Sequence, residues 1–167
     1  MDKNEFNRCV ELYSDAVYRF IMKHTADEDD AADIVQESFV RMWEKAETVS
    51  FEKAKSYLFS TAYHAMIDYF RKKKRFTGNF DFNDDRSTLH PSSPEKVSSF
   101  DLKAILNEAL DRLPEIQKSV ILLRDYEGYS YEEIGEITGL NESQVKVYIY
   151  RGRIALKNFI KNPDLVL

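Results

Sequence analysis

Apolar residues recur along most of this chain at intervals of three and four, the period of a helix that buries one side. Phe6, Cys9, Tyr13, Val17 and Phe20 make a first stripe that runs to about His24, and Asp2 with Glu5 supplies a capping-box start. A second helix begins within TADEDDAADIVQESFVRMWEK, where acids complement the positive N-terminal end of the helix dipole. Its apolar face is Ala31, Val35, Phe39, Met42 and Ala46. A third helix, from about Phe51 to Arg75, carries two adjacent stripes: Leu58, Ala62, Ala65 and Tyr69, then Phe59, Tyr63, Met66 and Phe70. Such a helix must pack against two partners or leave aromatics available for a ligand.

The period then stops. TGNFDFNDDRSTLHPSSPEKVSS is rich in turn formers and holds both prolines of HPSSP, which marks a linker. Periodicity resumes at Leu102, Ile105, Ala109 and Leu113. Pro114 fits the first turn of a further helix carrying Val120, Ile121 and Leu123, with Gly128 to close it. Ser130 with Glu133 caps a short helix that ends at Gly139, and Asn141 caps a last one that continues to about Ile160. The reading is an all-α chain: two small helical domains, 1–76 and 99–161, joined by a flexible linker, 77–98, and followed by a tail, 162–167.

Composition narrows the function classes. Five glycines and four prolines in 167 residues suit long helices better than a turn-rich β fold. The net charge of −5 argues against a protein that coats any DNA, yet leaves room for local basic patches. Cys9, the single cysteine, excludes an internal disulfide and sits on the first apolar stripe, so it reads as core. No segment is apolar enough to span a bilayer and MDKNEF is not a signal peptide, so a cytoplasmic protein without membrane insertion is expected. No Ser/His/Asp or Cys/His arrangement and no glycine-rich phosphate loop is present. The acids of DEDD diverge around a helix, which disfavours a carboxylate metal site; the chain is read as a non-enzyme without cofactor or metal.

The segment SYEEIGEITGLNESQVKVYIYRGRIAL contains a capped short helix, a tight turn at Gly139 and a capped longer helix, a helix-turn-helix arrangement. Gly135 offers a small residue for close approach, and Ile134, Leu140, Val145 and Ile149 offer a shared core. At about 100° per residue, Val145, Ile149, Gly152, Leu156 and Phe159 gather inward. Ser143, Lys146, Val147, Tyr150, Arg151 and Lys157 point away, with Gln144 and Arg153 at the flanks. Lys and Arg read guanine edges, Gln reads adenine, and Val147 suits a thymine methyl. A merely solvated basic face has no need of Val147, Tyr150 and Ile154 among its charges, so a major-groove reader is favoured.

With these segments in view, the chain resembles the small alternative sigma factors, the extracytoplasmic-function group of bacterial RNA polymerase sigma subunits. DAADIVQESFVRMWE, YLFSTAYHAMIDYFRKKKR, ALDRLPEIQKSVILLRDYEGYSYEEIGEITG and VKVYIYRGRIALK stand in that family's order and spacing, and only the linker lies outside the similarity. The resemblance implies a promoter-melting domain that also binds core polymerase, then a domain for the minus-thirty-five element. It assigns Asp33, Gln36 and Glu37 to the β′ clamp of core RNA polymerase, with the β flap as a second contact. It assigns Tyr63, His64, Arg71, Lys72, Lys74 and Arg75 to the melted minus-ten strand, where stacking and charge act together. Ser143, Gln144, Lys146, Val147, Tyr150 and Arg151 fall to the duplex upstream element. An anti-sigma protein is a further expected partner.

The family pattern departs at three positions. His64 stands where many members carry Asn, and Val147 and Tyr148 replace the more usual Ser and Arg, so base preference at both elements is expected to differ. The linker, with Asp81, Asp84, Asp85 and Arg86, either threads the polymerase or serves as a plain tether. The rival reading is a helix-turn-helix regulator acting without polymerase, which leaves DIVQE and the aromatic-basic third helix without work.

Overall fold

The computed structural model describes residues 1–73 and 102–161. Seven α-helices follow one another there: α1 (Lys3–Thr25), α2 (Glu28–Glu44), α3 (Ala54–Lys73), α4 (Leu102–Arg112), α5 (Glu115–Ile121), α6 (Tyr131–Thr138) and α7 (Glu142–Lys161). No strand occurs among the described residues. Contacts group the chain into two units, Met1–Phe80 with Glu132–Leu140, and Asp81–Tyr131 with Asn141–Leu167. The linker and tail expected at 77–98 and 162–167 lie outside the described residues.

In the first unit α1, α2 and α3 pack around one another through the stripes seen in the sequence. The Asp2 carboxylate accepts from the Glu5 N–H at 2.8 Å and Glu5 accepts from the Asp2 N–H at 2.9 Å, closing the capping box. Cys9, Val17 and Phe20 on α1, all five apolar positions named for the second helix, and Leu58, Phe59, Ala62, Ala65 and Met66 on α3 are buried. Burial pushes the Cys9 thiol up, which suits a core residue rather than a nucleophile. The α1–α3 seam is aromatic: the Phe20 and Phe59 ring centroids lie 5.7 Å apart. A 3-10 turn, Phe51–Lys53, precedes α3, so regular helix starts three residues later than the stripe suggested.

Two acids of DEDD have structural work. Asp27 caps α2 by accepting from the Asp30 N–H at 3.0 Å. Asp30 in turn accepts from the Tyr69 hydroxyl at 2.5 Å, and Lys73 donates to that hydroxyl at 3.1 Å, tying α2 to α3. Partial burial and the bond to Asp30 raise the Tyr69 pKa; the bond that Lys73 donates to Tyr69 raises that of Lys73.

The second unit is built from α4, α5 and α7. Pro114 is the cap of α5 rather than a residue within its first turn. After Ile121 the chain widens into a π-helical turn, Leu122–Tyr126, closed by the Glu127 N–H donating to Leu122 O at 3.1 Å. The extra residue keeps Leu122 and Leu123 buried while turning Asp125 and Tyr126 outward. Gly128 ends this stretch at φ +77°, a left-handed conformation that side chains resist. Two cations are buried with partners: Arg112 pairs with Glu108 at 3.0 Å and lies over the Phe159 ring, and Lys118 pairs with Asp111 at 2.9 Å. Leu102, placed on the core stripe by its spacing, is instead 67% exposed at the first turn of α4.

Along α7, Val145, Ile149, Gly152 and Phe159 are buried as projected, and Leu156 is half-buried. Asn141 Oδ1 accepts from the Gln144 N–H at 2.8 Å while Gln144 Oε1 accepts from the Asn141 N–H at 3.0 Å, a reciprocal cap. The turn before it is fixed by Gly139 at φ +80°, whose N–H donates to Gly135 O at 2.8 Å. A Cβ at Gly135 would lie 2.8 Å from Leu140 O, so the close approach expected there is to the turn's own backbone.

A Cβ at Gly152 would overlap Ile121 Cδ1. Overpacking costs about 1–3 kcal/mol, against a helix-propensity gain of about 1 kcal/mol for Gly to Ala. Gly152→Ala should therefore destabilise the chain, and the same change in an Ile121→Val background should be neutral or stabilising, as read by urea unfolding.

Tyr63 is 0% exposed, and desolvation pushes its phenol well above the usual tyrosine range. The folded state holds that proton more tightly than the unfolded chain, so this stability is complete below about pH 10, the ordinary value, and is lost as pH rises beyond it. Tyr63→Phe should flatten the alkaline fall in unfolding free energy measured between about pH 10 and 12.

Candidate nucleic-acid interface

The exposed side of α7 follows from its buried side. Ser143, Gln144, Lys146, Val147, Tyr150 and Arg151 are all exposed, with Tyr150 at 67%. Val147 and Ile154 are likewise exposed, so apolar and cationic groups alternate over one surface. That mixture matches a major groove, which offers acceptor edges, phosphates and thymine methyls together.

Beside this face a cavity of about 490 Å³ opens between α7 and Tyr131, lined by Tyr131, Lys146, Tyr150, Arg153, Ile154 and Lys157. Lys146 pairs with Glu142 at 3.2 Å and lies 5.6 Å from the Tyr131 ring centroid. Arg124 lies 4.6 Å from the same centroid and donates to Tyr129 O at 2.8 Å. Arg153 forks onto Asp125, with its Nη2 2.6 Å from Oδ1 and its Nε 3.3 Å from Oδ2. The bond to Asp125 raises the Arg153 pKa, against a smaller opposing effect of desolvation.

On α3 the two aromatic-patch candidates part company. Tyr63 belongs to the core, whereas its neighbour His64 is exposed. His64 Nδ1 lies 2.7 Å from Ser60 O; a carbonyl only accepts, so Nδ1 donates in that bond. Further along, Arg71 and Lys72 are exposed, and Arg71 makes a long, solvent-screened contact of 3.9 Å with Asp68. Lys74 and Arg75 lie outside the described residues. The basic end is therefore described as far as Lys73, whose ammonium is engaged with Tyr69.

On α2, Asp33, Gln36 and Glu37 share an exposed ridge, with Glu37 paired to Arg41 at 2.5 Å. Val40 and Trp43 continue that ridge, 56% and 49% exposed, and Trp43 is braced by the Phe6 ring at 4.9 Å. Neither is among the site residues expected from the sequence. They fall off the buried stripe, close beyond Gln36 and Glu37, and an off-stripe tryptophan is the signal that marks such a position.

Among the described residues no three His, Cys, Asp or Glu side chains are grouped so as to hold a metal ion, and no helix is long and apolar enough to cross a membrane.

The family model for Sigma-70 region 2 matches residues 9–76, and that for Sigma-70, region 4 matches residues 103–156. The chain is 34% identical over 158 residues to the RNA polymerase sigma factor SigV of Bacillus subtilis, spanning 94% of this chain and 92% of that one. It is 31% identical to the ECF RNA polymerase sigma-E factor of Haemophilus influenzae, spanning 96% and 89%. Among solved structures, the sigma factor RpoE of Bartonella quintana, crystallised with the anti-sigma factor NepR, superposes with a TM-score of 0.72 at 25% identity, over 93% of this chain and 96% of that one. Matched over both sigma-70 regions and nearly its whole length, the chain belongs to the extracytoplasmic-function family of bacterial RNA polymerase sigma factors.

Proposed function

We propose that this sigma factor directs core RNA polymerase to its promoters through three separate surfaces. The α2 ridge of Asp33, Gln36 and Glu37, extended by Val40 and Trp43, docks on the polymerase clamp. His64, Arg71 and Lys72 on α3, and Lys74 and Arg75 after it in the chain, hold the melted minus-ten strand. Tyr63 supports that surface from the core instead of stacking on a base. The α7 face of Ser143, Gln144, Lys146, Val147, Tyr150 and Arg151 reads the duplex upstream element. Residues 1–76 and 99–161 act as the two promoter-binding modules, 77–98 as the linker and 162–167 as a tail. The region 4 match from 103 to 156 takes in all of α6 and most of α7, which supports treating 99–161 as one functional module. The anti-sigma partner of the Bartonella relative supports a like inhibitor for this chain, and the β flap is the second polymerase contact.

The observation that carries this reading is the separation of charge on an acidic chain: exposed acids with two apolar groups on α2, exposed bases with apolar groups on α7. Linking the two DNA-binding modules through polymerase raises the effective concentration for the second contact, so neither has to bind tightly alone.

Arg151→Ala should weaken binding of the reconstituted holoenzyme to upstream-element DNA by about 1–3 kcal/mol while core-polymerase affinity stays unchanged. Asp33→Arg should do the reverse, lowering core affinity at least about tenfold, the effect of a misplaced charge at a docking surface. Fluorescence anisotropy with labelled core and labelled DNA separates the two; loss of both affinities in either variant would contradict separate surfaces.

A further inference from the structure

We propose that Tyr131 is a positioning residue for Lys146, fixing where the ammonium stands at the upstream-element face. The inference rests on the reading of α7 as the DNA-contacting helix. Lysine is a poor base reader when unrestrained, because its charge sits at the end of four rotatable bonds with no fixed fork. Here two partners limit it. Glu142, one turn earlier on α7, holds the ammonium at 3.2 Å, and the Tyr131 ring, at the start of α6, lies 5.6 Å away. Glu142 alone would draw Lys146 along the helix surface.

Tyr131 is itself restrained. The Arg124 guanidinium lies 4.6 Å from its centroid and is anchored by donating to Tyr129 O at 2.8 Å. Tyr129 is buried, so the restraint runs from the core through Arg124 and Tyr131 to Lys146. The cavity beside Lys146 has Tyr131 as one wall, so removing the ring leaves open space into which the lysine can turn. A restraint of this kind sharpens choice between bases; it adds little to phosphate attraction, which depends only weakly on where the charge points.

The test uses holoenzyme reconstituted from core polymerase and the full chain, with affinity measured across promoters varied at each upstream-element position. Lys146→Ala should flatten preference at one position. Tyr131→Ala should reduce discrimination at that same position by about two- to five-fold, the range of an exposed cation–π contact. Tyr131→Phe keeps the π face and should keep the discrimination; Tyr131→Leu keeps apolar bulk without it and should not. In the Lys146→Ala background, Tyr131→Ala should have no further effect. An equal loss at every position, or additive losses in the double variant, would overturn the positioning role. If Lys146→Ala leaves the profile unchanged, the DNA-reading assignment of Lys146 fails and the inference with it. If Lys146→Ala flattens the profile and Tyr131→Ala does not, only the positioning role falls.

Discussion

The rotation of each helix about its own axis is set by the one stripe it buries, and every outward-facing group depends on that constraint. On α7, Val145, Ile149 and Phe159 are buried, and Gly152 lets the helix come down on Ile121 with no room for a methyl group. Burial of a single large apolar side chain is worth about 1.5–3 kcal/mol, several times an exposed ion pair. The apolar stripe therefore fixes the rotation, and Lys146, Val147, Tyr150 and Arg151 are turned outward as its consequence. The same logic holds on α2, where Ala31, Val35, Phe39 and Met42 go inward and the acidic ridge is left facing out.

Charge is arranged around that frame in two different ways. Arg112 and Lys118 are buried with carboxylate partners, where losing one costs more than it does at the surface. Asp30 receives the Tyr69 hydroxyl and ties two helices together. By contrast Asp33, Arg71 and Lys72 stand on exposed positions, where charge adds little to folding. An acidic chain can thus bind nucleic acid, because net charge governs its long-range behaviour while short-range contact depends on the local face presented.

Much of this was legible in the sequence because caps and stripes are local signals. Asp2–Glu5 and Asn141–Gln144 cap as reciprocal boxes, the first from the expected pair, and the α7 projection separates buried from exposed residues as the structure does. Periodicity failed where tertiary context decides. Leu102 fits the stripe but stands exposed at the first turn of its helix, and the π turn at Leu122–Tyr126 shifts register in a way that a fixed 100° step cannot represent. Tyr63 lies on an apolar stripe of the third helix and His64 on neither, and packing takes the phenol to the core and the imidazole to solvent, although the family resemblance gave both to DNA. The Arg124–Tyr131–Lys146 relation joins three elements, so no window along the chain contains it. The roles given to Asp33, Gln36 and Glu37 came from family resemblance, and the structure adds that they share an exposed ridge.

Run-off transcription with sigma-free core polymerase over a promoter library tests the central claim most directly. This chain should make core polymerase start transcripts from a subset of templates that share one upstream and one minus-ten sequence, with no initiation when either component is withheld. Sequence-specific DNA binding by the chain without any polymerase-dependent transcript would contradict it.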